Sequence, residues 1–351
     1  MEKKQLVFLY SELAAYFLAC IGELLKQPDV EVHIIRWKVN SEAPFQFSFP
    51  DHLKIYDRDA YASDEALERL VTGIRPDVIY CSGWMDKGYM RVCKRYKGKI
   101  PVIVGFDNQW KGTLKQRIAT LISPFKILNH YSHCWVPGRL QEEYALRLGF
   151  KKENILTGFY CCDVDFFQEQ YRANREQKAK HFPKRFIFVG RYYEFKGITD
   201  LWKAFTELQE QQPNDWELWC LGTGDIPPID HPKIMHFGFV QPADLPEFTK
   251  QTGVFVLPSH FEPWGVVVHE FAAAGFPLIC TDEVGARTAF VENNFNGYIY
   301  QSGNADALKQ SLSKIMNMKQ EDLFEMGERS VAKAKTITPA TWTTQLMALL
   351  R

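Results

Sequence analysis

The sequence predicts an α/β protein built as two doubly wound domains, on three observations. Apolar runs that read as buried strands alternate with helical periodicity, the same plan recurs in the second half, and 351 residues exceed a length of roughly 150 residues per domain. In the first half "QLVFLY" reads as a strand, "ELAAYFLACIGELLKQ" as a helix and "VEVHIIRW" as the next strand, followed by "RPDVIYCSG" and "KIPVIVGF". In the second half "RFIFVG", "WELWCLG", "IMHFGF", "GVFVLPS" and "FPLICTD" each read as a buried strand bounded by Gly, Pro or a polar residue. Between the halves lies Asp163–Arg185, dense in charge and poor in aliphatics, which marks a domain boundary. The expected division is 1–165 for the first domain, joined by a terminal helix over 338–351, and 166–337 for the second. In such folds ligands bind beyond the carboxyl ends of the strands, so function is sought there.

Composition narrows the partners. Lys plus Arg and Asp plus Glu both number 42, so no overall field draws the chain to nucleic acid or to an anionic membrane, and any anion site must be local. The eight cysteines form no C-x-x-C pair and several lie in apolar runs, which reads as buried thiols in a reducing cytosol rather than a disulfide framework or a metal site. The apolar run in "MEKKQLVFLYSEL" is too short for a signal peptide or a spanning helix, so a cytoplasmic protein is expected. The one basic cluster, Lys87–Lys99, is either a solvated helix face or a place to receive an anionic or lipid-linked acceptor, with peripheral membrane contact at the inner face. The "DRD" of Asp57–Asp59 and the "DVD" of Asp163–Asp165 superficially resemble carboxylate metal clamps but end no strand facing a cleft, and no metal or cofactor is expected.

Three stretches offer chemistry. After the strand "RFIFVG", a loop presents Arg191 and Lys196 followed by Gly197; two cations on a loop leaving a sheet edge suit a diphosphate, and equally describe ordinary surface. Gly222 and Gly224 in "CLGTGD" permit a tight turn, near a ligand or not, and no full dinucleotide fingerprint is present. In "SHFEPWGVVVHEFAAAG" a helix begins near Gly265, with Glu262 in the loop before it and Glu270 inside it. A helix N-terminus favours a phosphate and two carboxylates can hold hydroxyls, so the stretch suits a nucleotide sugar; alternatively Glu262 caps the helix and Glu270 is a satisfied, partly buried acid.

Taken in order, these stretches resemble the retaining glycosyltransferases of family 4. The resemblance rests on "FVGRYYEFKGITDLWKAF", "HFGFV", "VFVLPSHFEPWGVVVHEFAAAGFPLICTDEVGA" and "NGYIY", and in the first half on "CWVPGRLQEEYALRLGFKKENILTGFYCCDVDFF". It implies the GT-B fold, two Rossmann-like domains facing each other across a cleft. It implies metal-independent transfer of a hexosyl unit, with retention, from a nucleotide diphosphate sugar to a saccharide or lipid-linked acceptor in glycan, polysaccharide or glycolipid synthesis. Arg191 and Lys196 then grip the diphosphate, Glu262 touches the donor sugar, and Glu270 binds the ribose. Amides around Trp264, Gly265, Val266 and Val267 reach the sugar and phosphate, and Gly238, Phe239 and Val240 contact the base. Two departures stand out. The loop after the first strand holds Ser11 and Glu12 in place of glycines, which remodels the acceptor side, and Asp107 stands where the family has a histidine. These departures prompt a second reading, a catalytically silent module that binds a sugar nucleotide or glycan. An epimerase or phosphorylase is disfavoured by the glutamate pair and by the lack of a cofactor lysine.

Overall fold

The structure is a computed structural model that describes residues 3–38, 49–50 and 53–350. It divides into two compact units, Met1–Cys162 with Ile337–Arg351, and Asp163–Thr336.

The first unit begins with β1 (Lys4–Tyr10), α1 (Ala15–Leu24), β2 (Val30–Arg36), β3 (Lys54–Asp57), α2 (Asp64–Ile74), β4 (Val78–Ser82) and α3 (Lys87–Tyr96). It continues through β5 (Val102–Gly105), α4 (Leu114–Lys126), β6 (His133–Val136), α5 (Arg139–Arg147) and β7 (Ile155–Thr157). The strands form one sheet in the order β3-β2-β1-β4-β5-β6-β7, every pairing parallel. A parallel sheet is covered on both faces, which is why β1 is apolar without alternation and buries Leu6 through Tyr10. Helix starts are marked by side chains: Ser63 Oγ accepts from the Ala66 amide at 3.1 Å, and Asp86 Oδ1 accepts from the Gly88 and Tyr89 amides at 2.8 and 3.0 Å. The carboxylates of the "DRD" segment are ion-paired, Asp57 with Arg36 at 3.3 Å and Asp59 with Lys38 at 2.7 Å.

The second unit opens with α6 (Val164–Lys180), so the charge-dense stretch between the halves is mostly a helix, capped by Asp163, whose Oδ1 accepts from the Phe166 amide at 3.0 Å. There follow β8 (Arg185–Val189), α7 (Ile198–Gln211), β9 (Glu217–Leu221), β10 (Ile234–His236), α8 (Leu245–Gln251), β11 (Val254–Leu257) and α9 (Val266–Ala273). The unit ends with β12 (Leu278–Thr281), α10 (Arg287–Phe290), β13 (Gly297–Tyr300), α11 (Ala305–Met316) and α12 (Gln320–Ala334). Its six parallel strands run β10-β9-β8-β11-β12-β13. One expectation is corrected: "IMHFGF" is not a buried strand. β10 is three residues long and lies at the sheet edge, where cover is incomplete: Met235 stays exposed, and Phe237 is 41% exposed although its ring packs on Trp219 and Phe248.

α13 (Pro339–Ala348) returns to the first unit and packs against α1. Its start is a capping box in which Thr338 and Thr341 satisfy each other's amides. Trp342 is fully buried, stacks on Trp135 with ring centroids 4.5 Å apart, and donates Nε1–H to the Phe159 carbonyl at 3.2 Å. The eight cysteines are free and buried.

α6 carries a cost that composition did not reveal. Lys178 is buried with its Nζ 3.8 Å from the Phe276 ring centroid, and burial pushes its pKa down to about 7. A lysine whose folded pKa is depressed contributes stability only above its unfolded value near 10.5 and loses it as pH falls through about 7. Lys178→Met is therefore expected to stabilise the fold at neutral pH by roughly 1–3 kcal/mol. Thermal unfolding followed from pH 7 to 10 should show the variant's advantage shrinking as the wild-type lysine loses its penalty.

Candidate functional site

In the second sheet the strand order reverses between β8 and β11, the switch point beside which open α/β sheets bind their ligands. Both loops carry the residues singled out in the sequence. The loop after β8 runs from Gly190 through Arg191 to Lys196, and the loop after β11 runs from Pro258 to Gly265. They are tied backbone to backbone, since the His260 amide donates to the Phe195 carbonyl at 2.8 Å. A second tie is a side-chain pair that sequence reasoning missed, His260 Nε2 to Asp200 Oδ2 at 2.7 Å. Asp200 lies in the first turn of α7 rather than in the loop after β8, so no local pattern in the sequence pointed to the pair.

This bracing brings Lys196 onto Glu262. Nζ donates to Oε2, and both side chains are largely covered, 16% and 13% exposed. Lys196 also sits 5.5 Å from the Phe195 ring centroid. Arg191 is exposed and lies over Tyr193, 5.3 Å from the ring centroid. The Glu262 backbone is fixed as well, because its carbonyl accepts from the Gly285 amide at 3.0 Å and the Trp264 carbonyl from the Ala286 amide at 2.8 Å. Glu262 is thus held as a partner of Lys196, and it does not cap α9, which has no side-chain cap.

Gly265 is the residue from which α9 starts, and its φ of +90° lies in the region that L side chains avoid. A Cβ built there would meet Glu262 Cγ at 3.0 Å, so glycine is needed for the backbone conformation and for the position of Glu262. The first-turn amides of α9, including Val266 and Val267, lack intrahelical acceptors as at any helix start and point toward the space beyond it. Val266, Val267 and Glu270 form the half-buried face of this helix, while Val268, His269, Phe271, Ala272 and Ala273 are buried. Glu270 is partly covered, yet the protein around it withholds enough water to push its carboxyl up to about 7. Trp264 contributes packing with its side chain, edge-on to Phe290. Its Nε1 and the Ser259 Oγ are buried without partners among the described residues. Orphan groups of this kind cost about 1–3 kcal/mol each.

The remaining residues lie at the same carboxyl edge. Gly222 and Gly224 are packing positions: a Cβ on Gly222 would meet the Gly190 carbonyl at 1.9 Å, and one on Gly224 the Tyr192 carbonyl at 2.4 Å. They let the turn after β9 lie on the loop that carries Arg191. The Gly222 amide in turn donates to the Gly238 carbonyl at 2.7 Å, which fixes the turn of Gly238, Phe239 and Val240; Phe239 is 40% exposed.

In the first unit the strand order reverses between β1 and β4. Ser11 and Glu12 follow β1; the Ser11 amide donates to Ser82 Oγ at 2.8 Å and its carbonyl accepts from the Trp37 amide at 3.0 Å, while Glu12 is exposed. Asp107 follows β5 beside a buried group of tyrosines. Tyr160 donates to its Oδ2 at 3.5 Å, and Gln141 Nε2 donates to its carbonyl at 3.1 Å. Burial first, then the neighbouring Tyr16 and the charge of Asp107, hold the Tyr160 hydroxyl well above its ordinary pKa.

Residues 170–335 match the family model described as glycosyl transferases group 1. The second unit is a glycosyl transferases group 1 domain. The chain is 24% identical over 263 residues to an uncharacterized glycosyltransferase of Methanocaldococcus jannaschii, a match covering 69% of this chain and 66% of that protein. It is 28% identical over 183 residues to the capsular polysaccharide biosynthesis glycosyltransferase CapM of Staphylococcus aureus, covering 47% of each. The matched stretches span less than two thirds of these relatives' own length. Among solved structures, Anabaena HepE in complex with UDP and glucose superposes with a TM-score of 0.72 over 99% of both chains at 14% identity. The whole chain therefore has the GT-B fold. The switch-point loops and the half-buried face of α9 fall inside the group 1 match. Asp107, Ser11 and Glu12 fall outside it.

Proposed function

We propose that this chain is a retaining glycosyltransferase that moves a hexosyl unit from a nucleotide diphosphate sugar to an acceptor hydroxyl in glycan, polysaccharide or glycolipid synthesis. The observation that carries this reading is the meeting of Lys196 and Glu262 at the switch point directly before the α9 N-terminus, with Glu270 one turn further on.

The main barrier is departure of the diphosphate. Arg191, Lys196 and the first-turn amides of α9 stabilise the charge that grows on it, the task a divalent metal performs elsewhere. Lys196 already pairs with Glu262, so a bound donor shares the ammonium between a phosphoryl oxygen and the carboxylate, and Glu262 is left beside the sugar hydroxyls. Glu270 accepts hydrogen bonds from the ribose hydroxyls, and the turn of Gly238, Phe239 and Val240 meets the base. The amides of Trp264, Gly265, Val266 and Val267 reach the phosphate and sugar. The acceptor oxygen attacks the anomeric carbon on the face from which the diphosphate leaves, the carbon–oxygen bond to phosphate breaks, and the acceptor proton passes to the departing phosphate oxygen. Ser11 and Glu12 are assigned to the acceptor side, and Asp107 to the catalytic contact with the donor hexose or the acceptor that a histidine makes in family 4.

A panel of UDP-, GDP-, ADP- and dTDP-sugars tested by thermal shift should single out the donor, because a ligand at a hundred times its Kd stabilises by about 2.7 kcal/mol. That donor should then be slowly hydrolysed, with turnover indifferent to a chelator. Binding without any nucleotide release would instead make the chain a silent sugar-nucleotide module.

A further inference from the structure

We propose that α4 is a membrane-docking helix, laid with its apolar face on a lipid surface rich in anionic headgroups. A surface helix normally turns its apolar stripe to the core. α4 does the reverse. Leu114, Leu121 and Phe125 are 74%, 76% and 77% exposed, and Ile118 and Ile122 are 48% and 37% exposed. At 3.6 residues per turn these five side chains fall within an arc of about 100°. The single buried residue of the helix, Ser123, lies on the opposite side and donates its Oγ–H to the Leu148 carbonyl at 2.6 Å. The helix therefore rests on the first unit by its polar back and offers solvent a contiguous apolar face, the arrangement of helices that lie in a bilayer interface.

Charge selects the occupant. From residue 87 to residue 141 the sequence holds eleven Lys and Arg against one acid, Asp107, in a chain whose formal net charge is zero. On α4 itself, Lys115 and Lys126 flank the stripe on one side and Arg117 on the other. The basic cluster of α3 adjoins the far end of the helix. Lys97 Nζ donates to the Leu128 carbonyl, and His130 lies close enough to Lys94 and Lys97 to feel both charges. Asp64 and Glu68 neutralise Arg91 and Arg95, which leaves Lys94, Lys97 and Lys99 exposed. A second copy of the chain docked on this face would set one cationic patch against another, whereas an anionic bilayer satisfies both the stripe and its rim.

The inference does not depend on the transferase reading, because vesicle binding needs no turnover. The full chain is floated with vesicles of phosphatidylcholine alone and with an equimolar mixture of phosphatidylcholine and phosphatidylglycerol. The wild type should float with the mixture, weakly or not at all with phosphatidylcholine, and less as salt is raised. The double variant Leu121→Gln, Phe125→Gln should lose at least ~10-fold in vesicle affinity. At low salt, Lys115→Gln with Lys126→Gln should lose roughly 25-fold, from about five-fold per charge. All four positions are exposed, so both variants should keep the wild-type melting temperature and donor response. The proposal is overturned if the wild type does not float with the mixture, or if the apolar variant floats as the wild type does. It is equally overturned if the wild type is a dimer by size-exclusion chromatography that the apolar variant dissolves.

Discussion

Lys196→Ala should lower kcat by about 10²–10³-fold, the typical effect of removing one preorganised donor from a developing anion. KM should change less, because the interaction strengthens as charge accumulates on the departing phosphate and is weaker in the ground state. The variant also removes the countercharge that Lys196 gives Glu262 in a place where both side chains are largely covered. Loss of that countercharge destabilises the loop, so the thermal midpoint must be followed with the rate. The double variant Lys196→Met, Glu262→Gln separates the effects: it removes the uncompensated charge, should recover stability lost by the single variant, and should recover no activity. If either variant turned over within a few fold of wild type, the stabilising role of this ammonium would be excluded.

Glu270→Gln is the second large effect, and it has two signs. A hydrogen bond to a charged acceptor contributes about 1.5–3 kcal/mol, so donor affinity should fall by roughly ten- to a hundred-fold at pH 8. Wild-type affinity should itself decline as pH drops through about 7, where the carboxylate takes up its proton, while the glutamine variant stays flat. Stability should move the other way. Burial raises the folded pKa of Glu270, so its contribution is fully present below the ordinary carboxylate range and is lost as pH rises through about 7. Above that pH the ionised, partly dehydrated acid costs on the order of 1–3 kcal/mol, and glutamine should raise the melting temperature at pH 8 with a gap that closes toward pH 5. Calorimetry across that range, alongside donor titrations, tests both halves. A variant that binds as well as the wild type at pH 8 would remove Glu270 from the donor site.

The alternation of apolar runs and helical periodicity made two parallel sheets legible, because a strand covered on both faces has no polar alternation to confuse it, as β1 and β11 show. The site loops were legible for a related reason: a lysine-glycine step after β8 and a glutamate before the helix after β11 interrupt otherwise buried sequence. Other features depend on contacts between distant residues and leave no local signal. Gly222 and Gly224 read equally as a plain tight turn or as one near a ligand, because whether a missing Cβ makes room for a ligand or for the Gly190 carbonyl is decided by the loop opposite. Lys178 lies in a helix as charged as any surface helix, and only the arrival of Phe276 buries it. α4 shows the same limit in reverse, since an amphipathic pattern states that one face is apolar and is silent about whether anything covers it.

The placement of α13 bears on how the molecule is made. The first unit closes its packing around Trp342, which is separated from Trp135 by the whole of the second unit. During vectorial synthesis β1 through β7 emerge early but keep an open seat against α1, while every element from α6 to α12 becomes available before the ribosome reaches α13. The unit that is translated first is therefore the last to mature, and a nascent chain that has released α12 while α13 is still in the ribosome would present a finished inserted domain tethered to an unsealed one.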